Sequence, residues 1–248
     1  MITVGVDLAA EPKSTAIALI DWAAESAVVS ELVVGADDSR IIRAVSGAKK
    51  VGIDCPLGWP APFVAFISSH HDGHVVIPDG VSGRDWRHKL AYRTTDDAVR
   101  QITGLVPLSV AADRIGHTAM RCAGLLAQLA LEGQAVDRRG GGVVVEVYPS
   151  ASLKQWGLPH RGYKGAANQS NLAVLVDALL AATRWLSLGE YESVCRRSDD
   201  AIDAVVAGMT ARAALMGQVT APSEEQADVA AIEGWIALPT SELQELKW

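Results

Sequence analysis

The sequence predicts a mixed α/β fold: a five-stranded sheet of three antiparallel strands extended by two parallel ones, with helices on both faces. Three observations predict it. Three apolar, β-branched runs open the chain in quick succession, with the short links that suit antiparallel neighbours. Two further apolar strands each follow a helical pattern, as parallel pairing requires. The composition is that of a globular chain able to build a sizeable core, with 248 residues, 49% hydrophobic and 21% charged.

The elements follow in order. Residues 2–8 (ITVGVDL) form the first strand, 14–22 (STAIALIDW) the second and 27–34 (AVVSELVV) the third, with Glu11-Pro12-Lys13 as the first turn. Asp37 and Asp38 open a helix to about Gly47, with Ile41, Ile42 and Val45 at helical spacing. Residues 50–54 (KVGID) form the fourth strand, which stops at Cys55-Pro56-Leu57-Gly58. Between 59 and 108 no period holds for long. We read this stretch as an insertion over the mouth of the sheet, with one helix near Thr95–Thr103. Ser109 is expected to cap a helix from Val110 to Leu131, stopped by Gly133. Residues 143–148 (VVVEVY) form the fifth strand, and helices are expected at 150–156 and 168–187. Ser198 caps another helix through Met216, and 227–238 reads as a last helical turn and an extended segment. This order is the ribonuclease H-like arrangement, with expected strand order 3-2-1-4-5 in a single domain spanning 1–248.

Charge and cysteine usage narrow the function. A formal net charge of −7 argues against non-specific coating of nucleic acid, which needs many Lys and Arg contacts to phosphate. A local basic groove stays compatible with it. Cys55, Cys122 and Cys195 are odd in number and far apart, so neither a disulfide framework nor a zinc ribbon is indicated. The N-terminus lacks a signal-peptide pattern, and no uncharged apolar run reaches the ~18 residues of a membrane span. The expected location is cytoplasmic, without membrane association.

The chemistry is expected from carboxylates. Asp7 ends the first strand in Val-Gly-Val-Asp, and Asp54 ends the fourth in Val-Gly-Ile-Asp. If those strands are parallel neighbours, the two acids lie roughly 5 Å apart at one sheet end. There they repel unless they share a proton or a metal. Asp199, Asp200 and Asp203 open the helix at Ser198, and Asp200 and Asp203 share a face. First-turn acids also occur simply because they complement the helix dipole. Together with Asp7 and Asp54, however, they make a two-metal site possible, and oxygen-only ligands suit Mg2+ or Mn2+. Glu146, near the end of the fifth strand and beside Asp54, is read either as a metal ligand or orienting acid, or as no more than a salt-bridge partner of an insertion arginine. Basic residues gather at Arg84, Arg87, His88, Lys89 and Arg93, at Arg138-Arg139, and at His160, Arg161 and Lys164. His70-His71-Asp72-Gly73-His74 fits no common zinc spacing, and no Walker or dinucleotide glycine loop occurs.

Asp7, Asp54, Glu146 and the Asp-Asp-Ala-Ile-Asp-Ala helix start together resemble the bacterial family called domain of unknown function 429. So do Tyr-Arg-Thr-Thr-Asp at 92–96, Gly-Tyr-Lys-Gly at 162–165 and Glu-Gly-Trp-Ile-Ala-Leu-Pro at 233–239. The resemblance covers nearly the whole chain and implies a predicted nuclease of ribonuclease H-like fold. The acid layout is also similar to that of Holliday-junction resolvases, although the fourth strand here carries Asp rather than the usual Glu. The leading expectation is a Mg2+- or Mn2+-dependent phosphodiesterase acting on DNA or RNA. Asp7, Asp54, Asp200 and Asp203 would hold metal, with Glu146 beside them as a further catalytic acid. Arg93, Asp96 and Lys164 would bind substrate. The alternatives are a phosphotransferase of the actin and sugar-kinase branch, which needs a duplicated lobe not visible here, and a non-catalytic adaptor for nucleic acid or protein.

Overall fold

A computed structural model describes residues 1–75 and 77–247; Val76, within the expected insertion, lies outside the described residues. The chain opens with β1 (Ile2–Asp7), β2 (Ala16–Trp22) and β3 (Ala27–Val34), followed by α1 (Asp38–Ser46) and β4 (Lys50–Asp54). Three helices then run outside the sheet: α2 (Ala61–His71), α3 (Gly83–Ala91) and α4 (Thr94–Thr103). Next come α5 (Gly116–Leu131), β5 (Val144–Glu146), α6 (Pro149–Gln155) and α7 (Gln169–Ala182). The chain continues through β6 (Leu186–Ser187), α8 (Glu192–Cys195), α9 (Asp199–Leu215) and α10 (Ala227–Glu233).

The sheet has six strands in the order β5-β4-β1-β2-β3-β6. The expectation of five is thereby corrected. The sixth strand was concealed in the helix expected at 168–187. That helix ends where Thr183 turns its hydroxyl back onto the Leu179 carbonyl, at 2.7 Å. Leu186 and Ser187 then pair in parallel with Ala27 and Val28. A continuous apolar run cannot tell helix from buried strand by its period alone. Two further expectations change. The helix expected from Val110 begins only at Gly116. Ser109 instead caps a turn: its hydroxyl accepts from the Ala112 amide, and its own amide donates to Asp113. Among the described residues the insertion holds three helices rather than one. Helices α2 and α3 bury no residue fully and lean on each other through the edge-on pair Phe66–Trp86, so they have no apolar stripe to read.

Two hydrophobic layers sandwich the sheet. Val4, Val6, Val51 and Ile53 face α1 and α5. The opposite face meets α7 and α9, and α9 is buried without a break from Ala201 to Arg212. Strand alternation puts Gly5 and Asp7, and likewise Gly52 and Asp54, on this α9 face. The glycines are what lets the helix in. A Cβ on Gly5 would stand 1.8 Å from the Ala204 carbonyl oxygen, and one on Gly52 would stand 2.4 Å from that of Ala207. The Thr3 hydroxyl donates to the Gly208 carbonyl at 2.9 Å and fixes the helix along its length. We therefore expect Gly5→Ala to push α9 outward and cost about 1–3 kcal/mol or more, the usual range for overpacking. Gly124→Ala, in α5 with open space at its Cβ, should instead gain up to ~1 kcal/mol from helix propensity. Denaturant midpoints of the two variants check the contrast. Equal midpoints would contradict the close approach.

Candidate metal centre and adjoining cleft

The Gly-x-Asp repeat builds the site. β1 and β4 are parallel and in register, so Gly5 stands beside Gly52 and Asp7 beside Asp54. The side-chain period of two aims each acid at the face its glycine opened to α9. The first turns of α9 lie over that strand end. Its N-terminus is fixed by Ser198, whose side chain accepts from the Ala201 amide. Asp203 thus comes down onto the two strand acids. One carboxylate oxygen from each of Asp7, Asp54 and Asp203 lies within 4.8 Å of the others. Among the described residues this is the one grouping of three such His, Cys, Asp or Glu ligands. The 70–74 histidine segment forms none.

The electrostatics follow from crowding acids in a poorly solvated place. Burial pushes the Asp7 carboxyl well above its usual range, and the charges of Asp203 and Asp54 add to the push. Burial likewise raises Asp54 to about 7, against the opposing pull of Lys164. Asp203 is raised by burial while Lys164 and Tyr163 pull it down. Asp200 is half-buried and raised by desolvation and by Asp199. It neighbours Asp7 but stands outside the closest three.

One loop, 160–165, supplies the counterweight. The Tyr163 hydroxyl donates to Asp203 Oδ1 at 2.8 Å. The Lys164 ammonium pairs with Asp203 Oδ2 at 2.6 Å. Asp199 anchors the loop by accepting from the Gly165 amide at 3.0 Å. Gly165 there adopts φ +88°, a left-handed conformation that favours glycine. Tyr163 and Asp199 were not singled out for these tasks in the sequence. The signal was the Gly-Tyr-Lys-Gly string, which reads as a loop until its acid partner is known.

Glu146, Arg93 and Asp96 come together, but with one another rather than with the aspartates. The Arg93 guanidinium is buried and forks onto Glu146 at 2.7 and 2.9 Å. Its remaining donors go to Asp96 at 2.8 and 3.2 Å and to the Glu233 carbonyl at 3.1 Å. Glu146 also accepts from the Leu57 amide at 2.9 Å. Burial raises the Glu146 carboxyl, and Arg93 opposes that rise. All the nitrogen donors of Arg93 are thus spent inside the protein. Glu233 extends the network, because its carboxylate accepts from the amides of Ala61 and Thr94, each at 2.8 Å. Those amides open α2 and α4, where free backbone donors favour a negative charge. Gly234 permits the crossing: at φ +90° a Cβ would stand 2.8 Å from Glu146 Oε2. Arg138 and Arg139 are also engaged, with the Ile232 carbonyl and Asp137 respectively. A cleft of about 380 Å³ opens beside Asp54, Lys164 and Tyr148.

The chemistry available is that of a hard-cation site. Three convergent carboxylates that repel one another fit a divalent ion with oxygen ligands. Cys55, Cys122 and Cys195 are buried and free. Among the described residues no helix is long and apolar enough to cross a membrane. The model of a family described as "Protein of unknown function (DUF429)" matches residues 5–227. No curated protein and no solved structure matches the chain.

Proposed function

The chain belongs to the DUF429 family, and from that premise we propose that it is a single-domain, ribonuclease H-like, divalent-metal-dependent phosphodiesterase acting on nucleic acid in the cytoplasm. The observation that carries this reading is the pair Asp7–Asp54, in register on parallel strands beneath Asp203. The run β3-β2-β1-β4-β5 within the sheet supports the fold assignment. Asp7, Asp54 and Asp203 would hold Mg2+ or Mn2+, with Asp200 at the rim. Such an ion supplies polarisation of a phosphoryl oxygen and activation of water near neutral pH.

The protein's own groups do the rest. Tyr163 holds Asp203 in place through its hydroxyl. Lys164 balances the acids from a half-exposed position, from which its long stem reaches a substrate phosphate. Arg93, Asp96 and Glu146 are assigned to positioning. They tie α4, β5 and the 233–236 segment into the wall of the cleft and leave no donor for substrate.

A cleavage screen over single-stranded, duplex and branched DNA and RNA, with Mg2+ and with Mn2+, tests the reading. We expect Asp7→Asn and Asp203→Asn each to abolish cleavage, by at least the ~10²–10³-fold typical of removing one group that stabilises developing charge. Substrate binding should be largely kept. Wild type that cuts no form with either metal yet turns over ATP in an Asp7-dependent way would replace this reading with phosphotransfer. Binding without any turnover would make the protein an adaptor.

A further inference from the structure

The cleft beside the acids has a composition that the acids do not explain. Its polar lining includes Asp54, Lys164 and the buried Arg93–Glu146 pair. Its apolar lining includes Val106, Pro107, Leu108 and Ile115, with the ring of Tyr148. The segment that carries the lip alternates. Leu105, Pro107 and Ser109 are buried, while Val106 and Leu108 stand 53% and 44% exposed. A segment that hides every second residue has thus turned two large aliphatic side chains outward, where solubility would favour polar ones. Arg114 is exposed and also lines the cleft.

Resting on the phosphodiesterase reading, we propose that this cleft takes one unpaired nucleotide of a single-stranded nucleic acid. Its base lies against Tyr148 and the Val106–Leu108 lip, and its phosphate lies toward Lys164 and the aspartates. Three features select this occupant. The volume, about 380 Å³, is at the small end of ligand pockets. It accommodates a single nucleotide and excludes a stacked duplex. An aromatic ring with aliphatic neighbours is the surface on which an unstacked base rests whatever its identity. Lys164 and Arg114, both exposed and both lining the cleft, supply cations for the phosphates of a strand.

The test is fluorescence binding of a single-stranded oligonucleotide carrying 2-aminopurine, with wild-type protein and Ca2+ present. Its blunt duplex and the free mononucleotide serve as competitors. We expect the single strand to bind at least tenfold more tightly than either competitor, with a change in 2-aminopurine emission on binding. Tyr148→Ala and Leu108→Ser should each weaken single-strand binding about tenfold without altering the weaker duplex binding. Leu108 is a surface residue, so its variant separates loss of contact from loss of fold. Equal affinity for strand and duplex, a mononucleotide as tight as the strand, or unchanged binding in both variants would each overturn the proposal. The two readings fail separately. Duplex cleavage without single-strand preference removes the cleft assignment alone. Single-strand binding of the expected pattern without cleavage by any metal removes the phosphodiesterase alone.

Discussion

Metal-free protein should become less stable as pH rises from about 4 through 7, and divalent cation should reverse that trend. The sign follows from the raised carboxyls. An acid whose folded pKa lies above its unfolded value binds a proton more readily in the folded state. Its favourable contribution is complete below the unfolded value and disappears as pH climbs through the folded one. Asp54 sets the window, from its ordinary 3.8 to about 7. Asp7 and Asp203 are shifted in the same direction. Above the window, several like charges share one strand end with Lys164 as the nearby cation. Metal binds the deprotonated acids, so its stabilisation grows with pH. At a concentration 100 times its dissociation constant, the gain is about 2.7 kcal/mol. Melting curves at pH 5, 6, 7 and 8, in EDTA and in MnCl2, read both effects. Asp7→Asn should flatten the slope in EDTA, raise stability at pH 8 and erase the manganese gain. A melting temperature that climbs with pH in EDTA and ignores manganese in wild type would refute the metal assignment.

Arg93→Ala should cost about 3–5 kcal/mol, the range for breaking a buried ion pair by removing one partner. The loss is large because Glu146 and Asp96 stay behind, both almost wholly buried. Arg93→Lys should recover little, since an ammonium cannot reproduce the fork that meets Glu146 with two parallel bonds. Chemical denaturation measures both variants. Should Arg93→Ala keep wild-type stability and lose only oligonucleotide affinity, Arg93 returns to the substrate-binding role that its Tyr-Arg-x-x-Asp setting first implied.

That reassignment shows where sequence reasoning stops. Arg93, Asp96 and Glu146 were all legible as important, because charged residues in apolar surroundings demand partners. Which partners they take is a matter of position. Glu146 was placed beside Asp54 by strand order, and its backbone does lie next to that strand, with Glu146 opposite Ile53. Its carboxylate nevertheless faces Leu57 and Arg93. Glu233 carries no role in the sequence beyond its place in the Glu-Gly-Trp-Ile-Ala-Leu-Pro string, because its two partners are backbone amides at helix starts 139 and 172 residues away, and an amide has no signature in a sequence. The same holds for α2 and α3, whose faces pack on each other and not on a core.

The strand meander, the parallel return of β4 and the matched Gly-x-Asp endings were legible from residue order, because a period of two is written there. From that period alone, glycine and acid share a face. What covers that face depends on packing between elements distant in the chain. Helix α9 can approach only where two glycines lie side by side, and that approach brings Asp203 over Asp7 and Asp54 and Lys164 over Asp203. The same packing leaves Arg93 spent on internal carboxylates while Lys164 stays half-exposed. A residue's type sets its charge, but burial and the distance to its partners set whether that charge is available to a ligand.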